Sequence, residues 1–508
     1  MNLGRKAESA DVALLLEGTY PFVSGGVSSW VHQIIRSFPD IRYAVYFVGS
    51  MKKDYGGQRY PFPDNVVHAE AHYLYERSEA PMIEAVPGDP DLFAMVGQMH
   101  EYFRAPKTHA RHAHLLGTLS EKLDGELSYD QFLYSEQSWK LVRESYRKFC
   151  TDPSFVDYFW TVRTMHTPIW VLAKVCKGMI PVRAFHTVST GYAGFLGALA
   201  KRRYGKPYII SEHGIYTKER KIDLFAAQWI ADNRSVFQRD PTESSYFRQL
   251  WIKFFEALGR AAYDAADTIT ALYEANRLRQ VADGADAAKT RSIPNGINIA
   301  TYKPLRELRP AAPPPVLCLI GRVVPIKDVK NFVRAMRTVV NRMPEAEAWI
   351  AGPEDEDPAY ARECRLLVEG LGLQNKVKFL GFQKLTDILP KIGLVVLSSI
   401  SEALPLVILE GYAAGVPTVS TDVGSCRQII YGNGPEDEAL GPSGRVVGIA
   451  DPQALATAAL ELLTDAEVWN TAAQAGIQRV EKYYSLEMMI GLYRKVYDGA
   501  FELEAKGV

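Results

Sequence analysis

Short runs of β-branched and apolar residues alternate with helical patterns along this chain, and the alternation occurs twice. In the first half, strand-like runs fall at 11–16, 43–48, 183–188, 207–211, 268–271 and 291–293, with helical patterns at 27–38, 192–203 and 243–264. A proline-rich joint at 309–315 (RPAAPPP) follows, and beyond it strands are expected at 316–320, 346–351, 377–379, 394–397, 418–420 and 444–447. Strands that alternate with helices form parallel sheets covered on both faces. Two such runs around one linker predict an α/β chain of two Rossmann-like domains facing across a cleft, with ligands at the carboxyl ends of the strands. Residues from about 51 to 180 break the first rhythm. They read as a largely helical insertion, aromatic over 129–150 and 157–177. The expected domains are therefore 1–308 with that insertion, 309–484, and a last helix over 485–508 that returns to the first domain.

Composition narrows the function. With 508 residues, 47% of them hydrophobic, the chain has material for more than one core and is not disordered. Lys and Arg number 58 against 59 Asp and Glu, which argues against a general nucleic-acid binder. Five scattered cysteines without CxxC spacing suit neither a disulfide framework nor a zinc ribbon, and fit a reducing compartment. No apolar stretch of secretory type precedes Glu17. The best membrane candidate, about 167–185, is broken by Lys174, Lys177 and Arg183. The expectation is a cytoplasmic protein.

Chemistry concentrates in a few loops. Residues 401–411 (SEALPLVILEG) follow a predicted strand. Pro405 suits the first turn of a helix, and Leu404 before it is a poor N-cap, so the first-turn amides of Leu406 and Val407 are open to an anion. Glu402 and Glu410, eight residues apart, would span about 12 Å on a helix. That exceeds the roughly 5–9.5 Å of a glycosidase pair and suits two ends of one extended ligand. Arg322 and Lys327 occupy the loop after strand 316–320, where an Arg fork and a Lys point charge can clamp a diphosphate. Gly25 and Gly26 open a helix after the first strand but form no GxGxxG fingerprint. His213 follows strand 207–211 at the same carboxyl edge.

Other features read as structural. His109, His112 and His114 have loosely metal-like spacing in a polar segment, and no metal site is expected there. Asp89 and Asp91 formally match DxD but lie in a Pro/Gly-rich loop that reads as solvent-facing. The acidic run 354–357 reads as a solvated helix start. Lys201, Arg202, Arg203 and Lys206 end a helix, where cations favour the dipole.

Together these motifs resemble the retaining GT-B glycosyltransferases of family four. The likeness covers residues 11–49, about 183–300 and 315–500. It rests on Gly25-Gly26, the His213 loop, Pro294-Asn295-Gly296-Ile297-Asn298, Gly321-Arg322 with Lys327, Glu402 with Glu410, and Gly415-Val416-Pro417-Thr418. The opening segment 14–35 and the helical insertion resemble more narrowly the cytoplasmic glycosyltransferases of bacterial Pel exopolysaccharide systems. Ala403, where glycine is usual, and Ser425-Cys426-Arg427 depart from the broad family pattern and bear on donor-sugar specificity.

The resemblance implies a UDP-sugar donor (UDP-N-acetylhexosamine or UDP-glucose) and hexosyl transfer with retention, by front-face attack. No cofactor, metal or protein nucleophile is then required. It implies that Arg322 and Lys327 bind the diphosphate, Glu410 the ribose, and Glu402 the donor sugar. Amides around Leu404, Pro405, Leu406 and Val407 would hold sugar and phosphate, with Gly381 and Phe382 beside the uracil. His213, Gly25 and Gly26 would face the reaction centre. A polysaccharide acceptor and inner-membrane exopolysaccharide export proteins are the implied partners. Two other readings are a GT-B-like UDP-sugar epimerase and a catalytically silent UDP-sugar-binding subunit.

Overall fold

Strand β1 (Val12–Glu17, VALLLE) is apolar on both faces and buried along almost its whole length, which is the signature of a strand inside a parallel sheet. The computed structural model describes residues 3–76, 86–105, 118, 121–123, 125–235, 244–310 and 312–507. It contains two units, Met1–Ser292 with Arg494–Val508, and Ile293–Tyr493.

In the first unit β1 joins β2 (Tyr43–Gly49), β3 (Val66–Tyr73), β4 (Ala184–Thr187), β5 (Tyr208–Glu212), β6 (Thr268–Ala271) and β7 (Thr290–Ser292). All pairings are parallel, in the order β3-β2-β1-β4-β5-β6-β7. The order reverses between β1 and β4, so the loops that leave these two strands diverge and open a crevice.

Strand β3 corrects the sequence reading, which placed residues 66–73 inside a helical insertion. These residues pair in parallel with β2 from Tyr43 opposite Val66 to Gly49 opposite Tyr73. The pattern hid the strand because His68, Glu70 and His72 occupy one face of an edge strand. There Glu70 accepts hydrogen bonds from both imidazoles, at 3.2 and 2.8 Å. The insertion thus begins past Tyr73. The helical stretch at 129–150 is also two helices, Tyr129–Tyr134 and Glu136–Phe149, with Ser135 ending one and capping the next. Helices Pro90–Arg104 and Phe155–Lys177 also belong to the described insertion. Phe103, Phe132 and Trp170 from these helices share one core with Leu15, Tyr46 and Phe254, so they are built into the first unit.

The second unit holds β8 (Val316–Ile320), β9 (Glu347–Ala351), β10 (Val377–Gly381), β11 (Leu394–Leu397), β12 (Thr418–Thr421) and β13 (Gly444–Val447). These are parallel in the order β10-β9-β8-β11-β12-β13, and reverse between β8 and β11. The division between units falls after Ser292 rather than at the proline-rich joint, because residues 293–308 pack on the second unit. Leu305 lies in the core with Val316, Cys318 and Ala414, and Arg306 donates to the Ala413 carbonyl at 2.7 Å. Gly296 has no room for a side chain, since a Cβ there would lie 2.3 Å from the Ser485 carbonyl oxygen. The last helix, Leu486–Ala505, passes from the second unit into the first at Arg494. There Arg494 grips Asp40 through two bonds of 2.7–2.8 Å, and Tyr497 is fully buried against Phe38 and His186. No described helix is long and apolar enough to cross a membrane.

Candidate functional site

The β8 and β11 loops of the second unit meet at its switch point. Lys327, from the first loop, donates to Glu402 Oε1 of the second at 2.6 Å, and Ser399 Oγ donates to the same oxygen at 2.7 Å. The pair is largely shielded, with side chains 21% and 15% exposed. Asp328 caps the helix Val329–Arg342 and so fixes the loop that carries Lys327. Gly424 holds the other side. It has φ +53°, and a Cβ there would lie 2.3 Å from the Glu402 carbonyl oxygen. Arg322 Nη1 donates to both oxygens of Glu356, at 2.6 and 2.5 Å, but this pair is more than half exposed and correspondingly weak.

Glu402 and Glu410 do not share a helix, which corrects the 12 Å ruler. The helix is Leu406–Ala413, and Pro405 is its N-cap rather than its first turn. Pro405 provides no side-chain acceptor, so the amides of the first turn remain without a capping side chain. Glu402 lies in the preceding loop. Glu410, on the helix, accepts from the Tyr302 hydroxyl at 2.9 Å, and burial pushes its carboxyl above the usual range. Tyr302, Gly321, Arg322, Phe382 and Lys384 line a cavity of about 580 Å³. Phe382 follows Gly381 (φ +62°) at the end of β10 and is 80% exposed. Arg322, Phe382 and Tyr302 therefore meet at one cavity, and Tyr302 ties Glu410 to its edge.

The first unit has a larger cavity, about 860 Å³, at its own switch point. Glu17 comes from the end of β1, Val188 and Ser189 follow β4, and His213 follows β5. His213 is buried, packs edge-on against Trp30 at 4.6 Å, and its Nε2 makes no hydrogen bond. Burial pulls its pKa down to about 4, so the ring is neutral at pH 7. His186 beside it is locked by Tyr497 and Ser211, each at 2.9 Å. Glu212 anchors the His213 loop, accepting from Thr190, Tyr263, Gln280 and the Tyr216 amide. Gly25 and Gly26 are exposed outside this cavity, at the start of helix Gly26–Ser37, and a Cβ on either would meet nothing within 4 Å. Nothing in the fold requires glycine there.

The remaining candidates are structural where described. Asp89 ends its loop as the N-cap of helix Pro90–Arg104, with Asp91 in the first turn, and both are exposed. Glu354 pairs with Arg365, and Asp357 caps helix Pro358–Gly370. Lys201 pairs with Asp267 and Lys206 with Glu504. All five cysteines are free. His109, His112 and His114 lie outside the described residues. Among the described residues, no group of three or more His, Cys, Asp or Glu is placed to hold a metal ion. Sequence reasoning missed Tyr302 and Glu17. The only signal for Glu17 was a lone charge at the end of an apolar strand.

Residues 10–288 match the family described as "Domain of unknown function (DUF3492)", and residues 314–465 match "Glycosyl transferases group 1". The D-inositol 3-phosphate glycosyltransferase of Kineococcus radiotolerans is 28% identical over 261 residues, which is 47% of this chain and 60% of that protein. The chain spans about half to three fifths of the length of the curated relatives it matches. Sucrose-phosphate synthase from Thermosynechococcus elongatus superposes with a TM-score of 0.56 at 17% identity, covering 97% of this chain and 99% of that one. Anabaena Alr3699/HepE, in complex with UDP, gives 0.55 at 15% identity, covering 96% and 100%. These likenesses establish the GT-B fold, two Rossmann-like units each built on a parallel sheet. The chain belongs to the DUF3492 family, and residues 314–465 of its second unit are similar to the glycosyl transferases group 1 family.

Proposed function

We propose that the protein is a retaining hexosyltransferase that uses a UDP-sugar to extend a bacterial exopolysaccharide. The observation that carries this reading is the second unit's switch point, where one loop offers Arg322 and Lys327 and the facing loop offers Glu402. A diphosphate displaces Glu356 from Arg322 and competes with Glu402 for Lys327. Glu402, once released, accepts hydroxyls of the donor sugar. Phe382, 80% exposed beside its cavity, stacks the uracil, and the Tyr302–Glu410 pair receives the ribose. The N–H groups of Leu404, Leu406 and Val407 add donors for sugar and phosphate. Two fixed cations neutralise charge on the leaving diphosphate without a metal. In the transfer, the acceptor oxygen bonds the anomeric carbon on the face the phosphate leaves, and its proton passes to the departing phosphate oxygen. The complex of Anabaena Alr3699/HepE with UDP supports the nucleotide. A Pel-type system, with cytoplasmic synthesis and inner-membrane export partners, rests on the resemblance carried by residues 14–35 and the insertion.

Incubation with labelled UDP-sugars and oligosaccharide acceptors in EDTA tests the reading. The expected product is a glycan with the donor's anomeric configuration. An epimerised sugar nucleotide, or binding without turnover, would replace this reading with an epimerase or a sensor subunit.

A further inference from the structure

Three helices of the first unit leave large apolar side chains in solvent. Trp139 stands on Glu136–Phe149, Val156 and Trp160 on Phe155–Lys177, and Ile222 and Phe225 on Tyr216–Ala226, with Trp229 just beyond. Each is between 46% and 66% exposed. They belong to one surface. Trp139 packs edge-on against Phe155 and Phe159 at 5.6 and 5.9 Å, and Phe159 meets Trp160 at 5.2 Å. Asn233, shortly past Trp229, donates to Asp157 at 2.8 Å and to Asp152 at 3.0 Å, which ties that segment to the start of the Phe155–Lys177 helix. Thr164, one turn beyond Trp160, lines a cavity together with Leu224 and Trp229.

Cations are set among these groups. Lys218, Lys221, Ile222 and Phe225 follow the i, i+3, i+4, i+7 spacing of one helix face, and all four are exposed. The carboxylates of that helix are engaged elsewhere. Glu219 lies against Gly214, where a Cβ would be 1.9 Å from its Oε1, and Asp223 lies 3.7 Å from Arg220. On the first helix Arg143 stands one turn from Trp139, with Lys140 and Arg147 exposed beside it. That helix carries four Lys or Arg against Glu136 and Glu144, so it is cationic. Lys140, Arg143, Arg147 and Lys221 form no ion pair among the described residues. A protein interface gathers its apolar groups in a core depleted of charge. Here they are spread over three helices with cations between them, which is the arrangement that meets a bilayer. Trp and aliphatic groups enter the headgroup region while Lys and Arg attract anionic lipid. A second copy on the same face would instead set these cations against their own equivalents.

We propose that this face docks on the surface of an anionic lipid bilayer, with Trp139, Val156, Trp160, Ile222 and Phe225 in the headgroup region and Arg143 and Lys221 drawn to the lipid charge. The proposal is independent of the transferase reading. The test floats the whole protein with two kinds of vesicle, phosphatidylcholine alone and phosphatidylcholine with about one third phosphatidylglycerol, at low and high salt. The protein should float with the anionic vesicles and much less with the neutral ones, its tryptophan emission should shift to the blue, and high salt should reduce the bound fraction. Trp139→Ala with Trp160→Ala, and Arg143→Glu with Lys221→Glu, should each weaken vesicle binding by at least roughly tenfold while the melting temperature holds. Arg334→Glu with Arg342→Glu reverses two exposed cations on helix Val329–Arg342 of the second unit. That pair should change binding little, which separates this face from net charge. The proposal falls if the protein ignores the anionic vesicles, if it binds both kinds equally, or if the tryptophan pair leaves binding unchanged. It falls as well if the second-unit pair weakens binding as much as Arg143→Glu with Lys221→Glu. Self-association lost in Trp139→Ala with Trp160→Ala, in a chain that ignores vesicles, would assign the face to a second copy instead.

Discussion

Lys327 and Glu402 hold each other at 2.6 Å, so their substitutions should act on the donor in opposite senses. Lys327→Ala removes a charged contact to diphosphate, worth roughly 1.5–3 kcal/mol, and UDP affinity should fall about tenfold to a hundredfold. Glu402→Ala instead releases Lys327 for the diphosphate. UDP should then bind as well as before or more tightly, while turnover of the UDP-sugar drops. Calorimetry beside a transfer assay checks both, and a Glu402→Ala variant with weakened UDP binding would contradict the arrangement. These residues were legible because each is a charged group in a loop at the carboxyl end of a strand. Tyr302 was not legible. It ends the one-turn helix Ile299–Tyr302 and meets Glu410 across 108 positions of sequence, a pairing that no local pattern encodes.

Among the elements, helix Ala466–Tyr483 carries the least expected feature, a fully buried Arg479. Its guanidinium donates to Asp437 Oδ1 at 2.6 Å, to Ser443, and to the carbonyls of Ile430, Asp437 and Gly441, tying that helix to the segment before β13. Removing one partner strands the other charge in the interior, so Arg479→Ala should cost the second unit about 3–5 kcal/mol in chemical denaturation. A loss under about 1 kcal/mol would mean that the pair is not a keystone. The sequence hid Arg479 because a helical arginine normally reads as a solvated face. Strands 268–271, 316–320, 394–397 and 444–447 were placed to the residue, since each is a short run rich in β-branched or aliphatic residues. Strand β3 was lost to its polar face, and Ser135 divided a helix whose hydrophobic pattern runs on without a Gly or Pro.

At the scale of the whole molecule, the two-run rhythm was enough to give both parallel sheets, because buried strands and covering helices have different periods. Among the described residues of the first unit, His100 and His166 in the insertion and His186 and His213 at the sheet edge are buried as neutral rings. Burial holds His166 and His213 at about 4 and His186 at about 3, with His100 also well depressed. Such groups take up protons more readily unfolded than folded. Their contribution is complete above the unfolded value near 6.5 and is lost as pH falls toward 3–4. Glu212, Glu219, Asp264 and Glu410, raised by burial, work in the opposite sense, but from a carboxylate's lower starting value, so they act mostly below the window in which the imidazoles do. The melting temperature should therefore fall steadily from pH 7 to pH 5, and a flat or rising profile would contradict the neutral burial of these rings. We propose that the second unit holds UDP through Arg322 and Lys327 without a metal, and titration calorimetry with UDP in EDTA reads this out. Saturable one-site binding is expected, and Arg322→Ala with Lys327→Ala should weaken it by at least about tenfold. Binding that needs a divalent ion, or that survives the double substitution unchanged, would contradict it.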